Sequence, residues 1–301
     1  MLSPKMPTLE DDEGVAVPEE FPAIIDAHVH IFPAALFSSI WEWFETNAWS
    51  MRYQYATTAV LNHLFLRGVR HIVALQYAHK PSVSRMLNQY MVDKCREFPG
   101  RVTGIATVFP GEADADLILR DAFDHGLKGV KLHSHIQCLD LSSKDMNAVF
   151  ELCESERKPL VIHAGREPKS PAYRCDPYDI CSAKKIERVL KDFPNLKICV
   201  PHLGFDEISD YRRLVETYDN LWLDTAMVLT DYFPITHHCK LEDFRMDRIL
   251  YGSDFPNIPY AWDRELKWLK ASGISNKNLE MILNKNATAF FEIEHHGIGC
   301  Q

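Results

Sequence analysis

No stretch of the 301 residues holds the eighteen uncharged apolar positions that a membrane-spanning helix needs. The first twenty, MLSPKMPTLEDDEGVAVPEE, have no apolar core of the kind a secretory signal carries. A basic excess is missing too: 33 Lys and Arg stand against 42 Asp and Glu, a formal charge of −9, which leaves no global pull toward nucleic acid or an anionic membrane. The eight cysteines include no C-x-x-C pair, and a chain this rich in core residues does not depend on disulfides, so they read as reduced thiols. Together these absences point to a soluble, cytoplasmic protein whose partner is a small molecule. Internal repeats and low-complexity tracts are also lacking.

What is present is an ordinary globular mixture, 46% hydrophobic and 25% charged. Residues 1–22 are acidic and proline-rich and read as a flexible lead-in; residues 23–293 read as one domain, and 294–301 as a tail. Short β-branched runs recur at 23–30, 69–77, 101–109, 127–135, 159–165, 196–204, 220–227 and 248–255. Helix-like stretches lie between them at 82–98, 113–126, 143–157 and 182–193, with Ser82 and Ser143 placed as N-caps. Eight runs without polar alternation fit a closed parallel sheet better than an open one, so the expected fold is an α/β, (β/α)8 TIM barrel. A helical segment at 34–53 is inserted after the first strand, where it serves equally as a lid or as a homodimer surface, and 275–293 reads as a closing helix.

Six of the 14 histidines (28, 30, 133, 135, 163 and 202) fall at or just past strand C-termini, which is the catalytic face of a barrel. His28 and His30 are two apart and share a face, as half a metal site. His163, His202 and Asp254 end the fifth, sixth and eighth runs, so imidazoles and a carboxylate converge on one point. A divalent ion accepts such ligands and lowers the pKa of a bound water to about 7. Asp254 can both ligate and take the water's proton, and a non-ligand His202 can polarise a carbonyl or protonate a leaving group. Asp26 precedes the histidine pair in the same phase, as an acceptor for a ligand imidazole or as a cap for a neighbouring strand end. Asp224, on the seventh run, is within reach of the site or pairs with a backbone amide.

The motifs IIDAHVH, LVIHAG, CVPHLG and LYGSDFP, in that order at the first, fifth, sixth and eighth strands, resemble the strand-end motifs of the amidohydrolase superfamily. The resemblance is to the amidohydrolase-related branch, which includes aminocarboxymuconate-semialdehyde and resorcylate decarboxylases and pyrone-dicarboxylate lactonase. It implies one divalent ion, zinc or alternatively manganese, held by His28, His30, His163 and Asp254, with His202 as catalytic partner. Binuclear relatives carry a bridging lysine on the fourth strand, where Lys131 lies in phase with His133 and His135. Lys131, His133 and His135 are also candidates to line the substrate pocket, and Arg166, just after HAG, is a candidate carboxylate clamp. Arg174 and Arg52 are similar candidates with less positional support, while Trp41, Trp43, Trp49, Tyr173 and Tyr178 are candidate pocket walls or packing, and Trp262 is a candidate to close the eighth loop. Paired His237–His238 and His295–His296 are poor sites, because adjacent residues point to different sides. The reading is a metal-dependent hydrolase of a small, anionic lactone, ester or amide. Non-oxidative decarboxylation of a carboxylated aromatic or muconate-like substrate is the alternative, and a non-catalytic binding barrel the third.

Overall fold

A computed structural model of the chain describes residues 6–167, 170, 172–233 and 240–294. Eight parallel strands run in chain order: β1 (Ile25–His30), β2 (His71–Leu75), β3 (Val102–Gly104), β4 (Val130–His133), β5 (Leu160–His163), β6 (Ile198–Val200), β7 (Leu221–Asp224) and β8 (Ile249–Leu250). Regular pairing joins β1–β3 in one sheet and β4–β8 in another. Between the sheets the ladder breaks into single bridges, Ala106 to Val130 and Val29 to Phe255. Backbone bonds still cross both seams, for example Lys131 N to Ala106 O at 2.7 Å and His30 N to Phe255 O at 2.8 Å. The expected barrel is the fold, but regular strand pairing does not close it: its two sheets meet only through these isolated bridges and bonds.

Nearly every strand residue is buried, which is why the strands read as continuous apolar runs: a parallel sheet covered on both faces has no solvent side to mark by alternation. Residues facing inward, among them Ile25, Ala27, Val73, Leu75, Ile105, Val161 and Leu250, pack on Phe290 and Phe291 of the closing helical stretch 276–291, which plugs the barrel. Alternate residues such as Ile72, Leu132, Ile162 and Leu223 pack outward in the larger core.

The register of β1 on β2 slips between Asp26 and Val29, where β1 spans one residue more than its neighbour. A bulge of this kind re-aims side chains. Below it Ile25 and Ala27 point inward; above it Val29 packs outward, and His28 and His30 face the site. Asp26 therefore falls out of phase with the histidine pair and turns to Ser253.

The inserted segment is one helix, α1 (Ala34–Asn47), followed by a loop and by α2 (Thr57–Leu66). Ser143 caps its helix by accepting from Met146 N at 3.2 Å. Ser82 does not cap: it adopts φ 70°, and the helix begins at Ser84. From residue 6 the acidic stretch is bound to the domain rather than trailing from it. Met6 N donates to Ala48 O and Leu9 N to Pro259 O, both at 2.9 Å. The Asp11 carboxylate accepts from Arg52 at 2.8 Å and Ala261 N at 2.9 Å, and Glu13 from Arg67 and Tyr53. Its charges read as solvated in sequence, but they answer cations just past the C-terminus of α2, on the loop before it and on the 264–271 helix. That use commits Arg52 to the strap. The tail from 295 and the paired histidines 237–238 and 295–296 lie outside the described residues, while the six described cysteines are free thiols.

Candidate metal centre

Two groups of metal-ligating side chains lie at the C-terminal end of the barrel among the described residues: His28, His30 and Asp254, and His135, His163 and Glu167. The first straddles the β1–β8 seam. His28 Nε2 lies 3.2 Å from His30 Nε2, and Asp254 Oδ1 lies 3.0 Å from His30 Nε2 and 3.6 Å from His28 Nε2. His28 Nδ1 is 2.7 Å from Asp224 Oδ2. A carboxylate oxygen accepts, so the His28 proton sits on Nδ1 and Nε2 carries a lone pair.

That lone pair converges with a second imidazole nitrogen and a carboxylate oxygen, while His30 Nδ1 and Asp254 Oδ1 have no well-formed hydrogen bond. Converging acceptors in a buried site are unfavourable unless something positive lies between them. Ligand atoms around a tetrahedral ion with bonds of 2.0–2.1 Å stand about 3.3 Å apart, and the observed separations bracket that value. The residues fit a divalent cation.

The protonation states agree. Burial, with the Lys131 charge, pulls His28 well below the ordinary histidine range, so it is neutral as a ligand must be. Burial pushes the Asp254 carboxyl up, but its contact with His30 and the nearby imidazoles outweigh this and hold it well below the usual range. His202 donates Nδ1–H to Ala226 O at 2.8 Å, leaving the Nε2 lone pair facing His163 Nδ1 at 3.2 Å; burial, with His163 beside it, pulls its pKa down to about 4.

His163 is thus placed beside His202, and it belongs to the second group rather than the first. His133 stacks on its ring with centroids 4.2 Å apart, packing behind it. His135 Nδ1 lies 2.5 Å from Glu167 Oε1, and Tyr173 donates to the same oxygen at 2.5 Å. Burial lowers the His135 pKa, but the Glu167 charge overcomes this and raises it to about 10. Lys131 is wholly buried and its Nζ has no hydrogen-bond partner; burial pulls its pKa down to about 8 against the opposing pull of Asp224 and Asp254.

A cavity of about 380 Å³ opens beside the two groups, lined by Ile40 and Trp43 of α1 with Tyr77, His135, Tyr173 and Arg174. Its size suits one small molecule. Two of its wall residues neighbour the centre: the Tyr77 ring is 5.8 Å from that of His30, and the His135 ring 4.9 Å from that of His163. Arg166 is not in this lining. Its guanidinium lies 4.9 Å from the Tyr178 ring centre, with Nη2 3.3 Å from Tyr178 O and Nη1 3.8 Å from Glu207, so it braces the fifth loop. Arg174 occupies the cavity instead.

Glu167 carries no motif signal in the sequence and is not singled out there. Asp224 does both things considered for it: Oδ2 takes His28, and Oδ1 accepts from His202 N at 2.9 Å and Ala226 N at 3.1 Å. Asp26 takes the strand-end role, accepting from His28 N, Ser253 N and Ser253 Oγ.

Donors gathered at the C-terminal ends of a parallel barrel's strands define a metal-dependent barrel enzyme. The chain belongs to the amidohydrolase family, whose profile matches residues 25–293. Comparison with curated sequences gives no significant match. Among solved structures it is similar to an uncharacterized TIM-barrel protein from Bordetella bronchiseptica (18% identity, TM-score 0.65, 89% of this chain and 98% of that one). It is also similar to 5-carboxyvanillate decarboxylase from Novosphingobium aromaticivorans, solved with manganese and a nitrobenzoic acid (16%, 0.65, 94% and 100%). A third is 2,6-dihydroxybenzoate decarboxylase from Rhizobium (16%, 0.59, 90% and 98%). At these identities the likeness is one of fold. No described helix is long and apolar enough to cross a membrane.

Proposed function

We propose that the protein is a metal-dependent hydrolase acting on a lactone, ester or amide of a small anionic molecule. One observation carries the reaction type: the two groups beside the His28–His30 pair, Asp254 and His202, are both proton acceptors. Asp254 is held ionised, and His202 has its only N–H committed to Ala226 O. A divalent ion held by His28, His30 and Asp254, with His163 as the family resemblance implies, would supply Lewis acidity at an oxygen ligand; zinc suits this donor set and manganese is the alternative. Asp254 takes the proton of the attacking water, and His202 Nε2 holds a proton in transit to the leaving group. The exposed cation Arg174, with no carboxylate partner among the described residues, draws an anionic substrate to the cavity mouth.

A second reading, non-oxidative decarboxylation, is favoured by the aromatic walls Trp43, Tyr77 and Tyr173, which suit a flat carboxylated ring, and by the decarboxylases among the similar folds. The two separate on turnover of lactones, esters and carboxylated aromatics in ¹⁸O-labelled water with zinc or manganese present. Hydrolysis puts label into a new acid group. Release of CO2 with no labelled acid would overturn the hydrolase reading. In a folded, metal-loaded Asp254→Asn variant, kcat falls by about 10²-fold or more; near-normal turnover would remove Asp254 from the chemistry.

A further inference from the structure

The reaction above uses none of the six described cysteines. Cys153, Cys181 and Cys199 are buried, while Cys95, Cys138 and Cys175 are half-buried. Two of the half-buried thiols meet. Cys138 ends the helical turn Ser134–Gln137 that follows β4. Cys175 lies in the fifth loop, just before the turn Pro177–Ile180, and the two turns pack on each other. Both thiols donate to one acceptor, His135 O, from 3.8 Å for Cys138 Sγ and 3.4 Å for Cys175 Sγ. They also act on each other: after burial, the Cys138 thiol is the main cause that raises the Cys175 pKa. Two thiols from different loops are thus held at one oxygen, within reach of solvent. A disulfide requires sulfurs brought together in this way.

We propose that Cys138 and Cys175 form a reversible redox pair, closed to a disulfide by a small disulfide oxidant such as oxidised glutathione. One thiolate of the pair attacks a sulfur of the oxidant, breaks its S–S bond and releases one glutathione thiol; the second cysteine then attacks the protein sulfur of the mixed disulfide and releases the other. The protein gives up two electrons and two protons, and the oxidant takes them as two thiols. The place of the pair decides what the link does. Tyr173 and Arg174, immediately before Cys175, line the 380 Å³ cavity together with His135 and Ile136, which precede Cys138. The disulfide ties the fourth loop to the fifth on this wall, and a cross-link removes open states of the segment it closes. The pair uses no group assigned to the metal or to proton transfer, so it stands apart from the choice between hydrolysis and decarboxylation.

Peptide mapping tests it on the native, full-length chain. Reduced protein, freed of reductant, is incubated with excess oxidised glutathione, blocked with N-ethylmaleimide, and digested without reductant for mass spectrometry. Two of the eight thiols are lost, and a cross-linked peptide pair joins Cys138 to Cys175, two hydrogens lighter than its halves; dithiothreitol restores both thiols. In limited proteolysis the oxidised protein is cut more slowly by trypsin after the exposed Arg174. Cys175→Ser and Cys138→Ser each abolish the link and leave glutathione on the remaining partner, so one folded variant suffices if the other fails. Retention of all eight thiols, glutathione on both cysteines without a link, a link to Cys181 in place of either partner, or a link that forms only in urea would each overturn the proposal. A native link that leaves cleavage after Arg174 unchanged would overturn the hold on the cavity wall.

Discussion

Replacing Asp224 with asparagine separates a positioning role from a structural one, because the two ends of this carboxylate do different things. Oδ1 accepts from the backbone amides of His202 and Ala226, and an asparagine oxygen can do the same. Oδ2, 2.7 Å from His28 Nδ1, becomes an NH2 donor facing an N–H. The clash is relieved only if His28 moves its proton to Nε2, and this removes the lone pair that converges with His30 and Asp254. For metal-free protein the exchange is small: a charge-assisted hydrogen bond worth about 1.5–3 kcal/mol gives way to a neutral one worth about 1, a net loss of about 0.5–2 kcal/mol. For the metal-bound form a donor is lost, and misplaced outer partners cost 10–100-fold in affinity, about 1.4–2.7 kcal/mol beyond any loss of fold. Zinc competition at pH 7.5 and urea unfolding of the metal-free protein measure the two terms separately. A zinc affinity within twofold of wild type would refute the reasoning, since it would mean that the His28 tautomer is not set by Asp224.

Acid lowers stability through His63, stacked on Phe255 and only 8% exposed, whose pKa burial and then Arg67 pull down to about 4 while Glu13 opposes. Its folded value lies below the unfolded one, so stability falls as pH drops from 6.5 to 4, by up to about 3 kcal/mol; His63→Phe flattens this part of a urea-denaturation pH profile, and an unchanged slope would count against it. At Gly204, φ is +83° and an added Cβ would meet the Tyr211 ring at 1.9 Å. Gly204→Ala loses about 3 kcal/mol or more in urea unfolding, and a loss under 1 kcal/mol would show that Tyr211 yields.

How much could be read in advance follows from what each residue depends on. The eight strands were legible because a doubly covered parallel strand announces itself as an apolar run, and His28, His30, His163, His202 and Asp254 because each ends such a run. Asp26 was placed in phase with the histidines because period-two counting assumes an unbroken strand; the bulge is a relation to β2 and leaves no mark in β1 alone. Arg166 and Arg174 are both loop cations, and only the path of the fifth loop decides which faces the cavity. Glu167 depends on the same path. The strap at 6–22 was read as free because its acids have partners only in three dimensions, at Arg52, Arg67 and Arg264.

The β1–β8 seam shows how the fold and the site share one constraint. Asp254 sits there at φ +61°, a backbone region costly for a residue with a side chain, and its amide donates to His28 O at 2.9 Å. Regular pairing is absent at this point, and the Asp26 carboxyl bridges it, taking His28 N on one strand and both Ser253 groups on the other. Burial pushes the Asp26 pKa up to about 7 against the pull of Ser253 and His28 N. Its folded pKa is above the unfolded value of about 3.9, so its contribution is fully present below pH 4 and is lost as pH rises through 7, by up to about 4 kcal/mol. Asparagine keeps the two amide bonds without the charge, its oxygen accepting both, while its NH2 reverses the serine contact by donating to Ser253 Oγ. In metal-free protein, Asp26→Asn should therefore match wild type near pH 4 and exceed it by pH 8 in urea unfolding. A variant weaker than wild type at pH 8 would show that the ionised carboxylate, not its geometry, holds the seam.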